Sequence, residues 1–207
     1  MHAAPETITT ARLVLRRPKP SDAAAMYDYG RDPEVTRYMD WRTHASLADA
    51  RAFLKGAARR WESGEEYSWA ITVKPDDRRI GSVGCRVRGH AVDLGYVLSR
   101  NYWGRGYATE AARAVLEWAR ARKGVYRVWA TCDVENAASA RVLEKLGMSR
   151  EGVLRRWAIR PNLPSQPPRD AFVYSWVPSN HALERAGAQP TRHGWTSVGA
   201  GRSTRGR

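Results

Sequence analysis

Cysteine is scarce in this chain of 207 residues. Only Cys85 and Cys132 occur, far apart and without metal-ligand spacing, which excludes a disulfide scaffold and a zinc ribbon. The five histidines (His2, His44, His90, His181 and His193) show no paired spacing either, so no metal site is indicated. Long apolar runs are missing: no stretch approaches the ~18 residues of a membrane span. The opening MHAAPETITT lacks the basic start and apolar run of a secretory signal. A cytoplasmic protein without membrane contact is expected. Acid is short as well. Asp and Glu number 21 against 35 Lys and Arg, for a net charge of +14, and such an excess suits anionic company. The excess is dispersed, however. Residues 178–207 hold five Arg and one Glu, and the remainder is spread mostly as single arginines, the pattern of a solvated surface.

What is present is a globular composition, 43% hydrophobic and 27% charged, on a length that suits one domain with a tail. A short strand is expected over residues 13–16. Ser21 offers an N-cap to a helix over 22–29, and Asp32 with Pro33 caps a shorter one toward Met39. The clearest helix covers 47–63, where Ala50, Phe53, Leu54, Ala57, Ala58 and Trp61 keep the i, i+3, i+4, i+7 rhythm. Ser46 with Asp49 resembles a capping pair there, and Gly64 is a stop. Strands over 67–73, 80–87 and 91–98 follow, joined by connections short enough for antiparallel neighbours. In the third, Val92, Leu94, Tyr96 and Leu98 share one face. A helix over 109–122 has an apolar stripe of Ala111, Ala112, Val115, Trp118 and Ala119. After it come a strand over 127–132, a helix over 137–146 ended by Gly147, and strands near 148–159 and 171–177. No internal repeat is visible. From Pro178 on, the chain is rich in Gly, Ser, Thr and Arg and aperiodic, and it cannot offset an ordering entropy of roughly 1–2 kcal/mol per residue. The expected organisation is an N-terminal extension over 1–10, a domain over 11–177 and a flexible basic tail over 178–207.

The informative stretch is strand, loop, helix. Residues 94–99 (LGYVLS) lead into RNYWGRGYA over 100–108 and then a helix. Gly104 and Gly106, one residue apart, let consecutive backbone N–H groups converge at a helix N-terminus, a cradle for phosphate or pyrophosphate. Arg100, Arg105 and Arg113 lie near in sequence. The loop is neither a Walker A nor a Rossmann turn, because no Gly-Lys-Ser/Thr follows and the Gly triplet is incomplete. Some thirty residues later comes ENAASARVLEKLGM over 135–148. Together, YWGRGYATEA and NAASARVLEKLGM resemble the GNAT superfamily of acetyl-CoA-dependent N-acyltransferases, in its RimJ/RimL-like branch. The likeness extends over residues 13–177.

That resemblance implies a mixed α/β fold, with a mostly antiparallel sheet and about four helices. Two parallel strands, 91–98 and 127–132, would splay to hold acetyl-CoA. The pantetheine arm would pair with backbone at Tyr96, Val97 and Leu98, and the pyrophosphate would take N–H groups from Gly104, Arg105, Gly106, Tyr107, Ala108 and Thr109. Asn101 stands where the family has Gln or Arg. Asn136 reads as an N-cap and, in the family, as a cofactor contact; both roles can coexist. An N–H near Val97 would stabilise the oxyanion. Many relatives carry a Tyr seven residues after this Asn. Leu143 stands there, which leaves Ser139 as the candidate acid, or else a small core residue bonded to a carbonyl. Asp93 is the candidate base, with a solvated carboxylate as its other reading and Glu135 as an alternative. Cys132 has no activating His nearby.

The implied activity is acetyl transfer to a primary amine in a ternary complex. A protein N-terminus, with pKa ≈ 7.7–8.0 against ≈ 10.4 for Lys, suits a site without a strong base. Small-molecule amines are the alternative acceptors, and a basic, non-catalytic RNA- or ribosome-associated protein is the rival class. The acceptor pocket is expected between residues 28–41 and 155–170, with Tyr38, Trp41 and Trp157 as candidate linings. Weak anionic contacts through the tail are a further expectation.

Overall fold

The structure, a computed structural model, describes residues 4–163 and 167–179. Apart from 178 and 179, the expected tail lies outside the described residues. Eight strands form one sheet: β1 (Thr7–Thr9), β2 (Leu13–Arg16), β3 (Glu66–Val73), β4 (Arg79–Arg88), β5 (Ala91–Leu98), β6 (Arg127–Asp133), β7 (Ser149–Ala158) and β8 (Arg169–Trp176). The helices are α1 (Ala23–Gly30), α2 (Pro33–Thr36), α3 (Leu47–Ser63), α4 (Tyr107–Arg120) and α5 (Ala137–Lys145), five where about four were expected. The spatial order is β1-β2-β3-β4-β5-β6-β8-β7. Every neighbouring pair is antiparallel except β5 and β6. The first strand falls inside the stretch read as an extension: Thr7–Thr9 pairs with β2, and three residues carry too little alternation to announce it.

Local signals account for most element ends. Asp49 accepts from the Ser46 and Ala45 N–H groups at 2.9 and 2.8 Å, closing the start of α3, and Gly64 ends it at φ 72°, the left-handed turn that glycine adopts without a Cβ penalty. Asp32 accepts from Glu34 N at 3.0 Å and starts α2. Ser21 does not cap α1. A tight turn over Pro20–Asp22 precedes that helix, and Asp22 serves a different purpose, described below.

On one face of the sheet, α4 lays Ala111, Ala112, Val115, Leu116 and Ala119, all buried, over Val83, Cys85, Val92 and Leu94. The alanines bring the helix backbone close to the strands. Trp69, fully buried, packs edge-on against Trp61 and Trp118, with ring centroids 5.2 and 5.5 Å apart. Strand residues alternate in direction, so Val97 points to the other face. There it joins a second cluster built from Ala23, Met26 and Tyr29 of α1, Val35 of α2, and Ala50 and Leu54 of α3.

That second layer is tied to the sheet by a buried ion pair. Arg16 of β2 donates to both Asp22 oxygens at 2.7 and 2.9 Å, and the two side chains are 9% and 5% exposed. Burial opposes ionisation of Asp22, but Arg16 and the Lys19 N–H outweigh it and hold the carboxyl below its ordinary range. Asp77, 62% exposed, contacts the same guanidinium from outside. Replacing Asp22 by Ala strands a buried charge, and urea unfolding at pH 7 is expected to show a loss of about 3 kcal/mol, against about 1 kcal/mol or less for Asp77→Ala. Because the folded carboxyl titrates below the unfolded one, its contribution is complete above the ordinary value near ~3.9 and fades as pH falls through the folded value. The gap between wild type and Asp22→Ala therefore narrows in acid.

Candidate active site

The parallel pair is short. Ala91, Val92 and Asp93 face Arg127, Val128 and Trp129, and from Leu94 and Ala130 onward the two strands carry no mutual pairing. A cleft opens there between backbone edges. Ser99 N–H donates to Ile80 O at 2.8 Å, and Trp103 Nε1 donates to Leu98 O at 2.7 Å from the side away from β4. Backbone groups alternate along a strand. Val97 N–H therefore turns toward Ser82 of β4, its register partner, while Tyr96 and Leu98 turn toward the cleft. Of the three backbone contacts expected at Tyr96, Val97 and Leu98, Val97 is turned away by its pairing with β4, and its two neighbours present the groups that face the cleft.

At the mouth of the cleft lies the glycine loop. Gly104 and Gly106 have φ of 75° and 79°, and a Cβ on Gly104 would meet nothing within 4 Å. The second glycine is the N-cap of α4, so no side chain bonds the first-turn N–H groups. Those of Tyr107, Ala108 and Thr109 are the orphan donors that every helix start leaves. Glu110 sits in that turn, where a free carboxylate would repel an anion. Its charge is taken up instead: Thr10 Oγ1 donates to it at 2.6 Å, Arg12 N at 2.9 Å and Arg12 Nε at 2.7 Å. Burial opposes its ionisation, yet these bonds hold it below the usual carboxylate range. Arg12 also donates to Arg105 O at 2.9 Å and lies 4.6 Å from the Tyr107 ring centre. Nothing in the sequence signals Thr10 or Arg12, almost a hundred residues from their partner. A groove of about 490 Å³ beside the turn is lined by Thr10, Gly106, Thr109, Glu110, Arg113, Ala114 and Lys145. Arg100 is drawn away from the loop, to Asp32 at 2.9 Å.

Inside the cleft, α5 follows β6 directly. Asn136 Oδ1 accepts from Ser139 N at 3.1 Å, the capping role its position suggested. Ser139 Oγ lies 2.8 Å from Tyr96 Oη, and the phenol also reaches Ser139 O at 3.1 Å. Tyr96, read as a backbone contact, thus carries a second hydroxyl to the serine; burial raises its pKa, with the serine bond opposing. Cys132 completes the cluster. Burial pushes its thiol up to about 11, its hydrogen bond with Ser139 working the other way, so it is a protonated neighbour and not a nucleophile.

Asp93 lies on the opposite face, at the last paired residue before the strands part. Burial raises its carboxyl above the ordinary value, with Arg86, 3.7 Å away, and Arg88 opposing. Glu135 is 57% exposed and pairs with Arg169 at 2.8 Å. The segments expected to frame an acceptor do meet: Asn162, in the β7–β8 connection, accepts from Thr43 N at 2.8 Å and donates to Thr36 O and Trp41 O at 2.7 and 2.8 Å. Trp41 packs on His44 and Phe53, whereas Trp157 is 55% exposed. Among the described residues no group of three His, Cys, Asp or Glu is placed to hold a metal ion, and no helix is long and apolar enough to cross a membrane.

Comparison with known proteins gives a consistent picture. The acetyltransferase (GNAT) domain family matches residues 12–149. An uncharacterized N-acetyltransferase, p20, of Bacillus licheniformis is 33% identical over 154 residues, 72% of this chain and 86% of its own length. A GNAT-family acetyltransferase from Bacillus anthracis superposes with a TM-score of 0.72 at 26% identity, covering 83% of this chain and 98% of that one. RimL, a ribosomal L7/L12 α-N-protein acetyltransferase solved with coenzyme A, shares the fold with a TM-score of 0.74 at 19% identity, over 83% and 98% of the two chains.

A side chain at Gly106 would be strained by its positive φ of 79° and would touch the Arg12 guanidinium, 3.4 Å from a Cβ placed there. Gly106→Val is expected to weaken acetyl-CoA binding at least about ten-fold in calorimetry, a cost of a kcal/mol or more. Gly147→Ala, strained alike at φ 77° but at the far end of α5, should lower stability and leave that affinity in place.

Proposed function

The chain belongs to the GNAT acetyltransferase family, and from that premise we propose that it moves the acetyl group of acetyl-CoA onto a primary amine by direct attack in a ternary complex. The observation that carries this reading is the parting of β5 and β6 beside an uncapped helix start. A thioester co-substrate supplies the activated acyl carbon. Its extended arm suits the Tyr96 and Leu98 backbone groups as an added strand suits a sheet edge, and its pyrophosphate suits the N–H groups from Gly104 to Thr109, including Arg105 and Tyr107 to Ala108. Asn136 spends Oδ1 on its own helix and keeps its amide N–H groups for the arm. Val97 contributes packing, since its N–H faces β4.

In the transfer, the amine nitrogen bonds to the carbonyl carbon, the carbon–sulfur bond breaks, and charge grows on the carbonyl oxygen. A cleft-facing N–H of Tyr96 or Leu98 is the donor for that oxygen. Ser139, oriented by Tyr96 Oη and by its place in the first turn of α5, donates a hydrogen bond to the departing sulfur, which leaves as the coenzyme A thiolate. A free thiol has pKa ≈ 8–9, so this donation helps without being indispensable. Asp93 receives the amine's proton, its raised pKa bringing it nearer the optimum for a base at neutral pH. A carboxylate base suits an α-amine at ≈ 7.7–8.0 better than a lysine at ≈ 10.4, which supports a protein N-terminus as acceptor; the fold shared with RimL fits this reading. The RNA- or ribosome-binding alternative rests on the net charge of +14 and on a tail that, beyond residue 179, lies outside the described residues; the family membership favours acetyl transfer over it.

Stopped-flow and steady-state assays with an amine panel test these roles. Ser139→Ala is expected to lower kcat by about 10–100-fold with little change in KM, less than the roughly 10²–10⁴-fold of full proton transfer by a general acid, as suits a hydrogen-bond donor to the sulfur. An unchanged kcat would mean that the sulfur leaves unassisted. For Asp93→Asn, kcat/KM should fall and lose its acidic limb. In the wild type that limb lies above the ordinary carboxylate range, the rate dropping as pH falls through the raised pKa.

A further inference from the structure

On the α1–α2 face of the cleft two largely buried arginines converge on one buried carboxylate. Asp93 and Trp129 are register partners in a parallel pair, so their side chains share a face. By alternation Gly95, Val97, Thr131 and Asp133 lie on it too. Asp133, at the end of β6, is completely buried. Both of its oxygens are taken by Arg169, at 2.6 and 3.0 Å. A second guanidinium follows. Arg160, in the β7–β8 connection, is 9% exposed and stands 3.9 Å from Asp133 Oδ2, beyond hydrogen-bond reach. Its Nε is buried without a hydrogen-bond partner. Two buried arginines thus share one buried carboxylate. Glu135 is engaged by Arg169 at the surface, and Asp170 Oδ1 is occupied by the Arg156 N–H at 2.8 Å. Neither answers Arg160.

A buried N–H without a hydrogen bond is costly even beside an opposite charge, and the position of Arg160 is enforced. Asn162, two residues on, is clasped to Thr36, Trp41 and Thr43, which holds residues 160–163 against the α2 side. Arg160 stands beside the end of β6, the strand that leads into α5 and Ser139.

We propose that Arg160 is an acceptor-anchoring residue, and that the amine acetylated here carries a carboxylate close to its amino group. This rests on the amine-acetylation reading above and deepens it by stating the chemistry of the acceptor. The carboxylate pairs with the guanidinium and completes the cluster, holding the amine toward the thioester. Arginine suits this task because its planar fork matches a carboxylate. The carboxylate has two sources: the α-carboxylate of a free amino acid, or an acidic side chain next to a peptide N-terminus.

The test uses the full-length protein and two matched acceptor pairs, alanine against alaninamide and the peptide Ala-Glu-Ala-amide against Ala-Gln-Ala-amide. In the wild type, kcat/KM should favour the carboxylate member of one pair by about ten-fold or more, the scale of a charge-assisted hydrogen bond. Which pair responds identifies the source. Arg160→Leu should bring that ratio to about one, and Arg160→Lys, which keeps the charge, should restore part of it. A wild-type ratio near one in both pairs overturns the proposal, as does an Arg160→Leu variant that retains the preference. Calorimetric binding of the same four compounds to the coenzyme A-saturated protein separates the two ideas. Arg160-dependent carboxylate binding without turnover of any amine would sink the transfer reading and leave the anchor standing, whereas carboxylate binding indifferent to Arg160 sinks the anchor.

Discussion

A β-strand leaves half of its backbone groups on each edge, and buried groups must find partners. The parallel pairing of β5 and β6 ends after three residues, and this sets the terms for everything around it. Beyond Asp93 the inner edge of β5 turns toward a cleft and not toward a neighbour. A thioester arm with amide groups is a chemically apt partner for such an edge. The same divergence places the end of β5 at the start of α4 and the end of β6 at the start of α5, so both helices begin at the cleft. One contributes uncapped N–H groups, the other a hydroxyl.

Charge placement serves that geometry. Three clusters each fix a piece of the surroundings. Arg16 with Asp22 ties the α1 layer to the sheet; Arg12 with Glu110 removes a repulsive charge from the helix start; Arg169 with Asp133 pins β8 to the end of β6. In the first two, hydrogen bonds to the carboxylate win over burial, and the group stays ionised. Asp93 has weaker compensation, Arg86 being 3.7 Å away, and burial wins. The same residue type is thereby tuned in opposite directions, which is the difference between a structural carboxylate and a candidate base.

The two faces of the sheet divide the work. The face of Tyr96 carries Ser139 and Cys132, a hydroxyl cluster suited to the sulfur side of the reaction. The face of Asp93 carries that candidate base, Asp133 and the arginines, the side on which α1, α2 and residues 160–163 lie. Asn162 joins those last two with all of its amide capacity engaged.

Short-range physics was legible in the sequence. The caps at Ser46–Asp49 and Asp32, the stop at Gly64, the stripe of α4 and the glycine loop are all encoded within a few residues, because helix ends and turns are decided by neighbours along the chain. The order of those elements, with the two motif segments, was enough to identify the family. What the sequence left open lies between residues far apart in it. The reach of Arg12 to Glu110 and of Tyr96 Oη to Ser139, and the clasp of Asn162 on Thr36, join residues 43 to 126 positions apart; the pairing of Thr7–Thr9 and the Arg16–Asp22 pair span fewer residues but depend equally on where β2 lies. The direction of the Val97 N–H was decided in the same way, by which strand lies on which side. Strand register and packing set these contacts, and no local pattern records them, since any arginine or asparagine reads alike until the sheet brings its partner within hydrogen-bond distance.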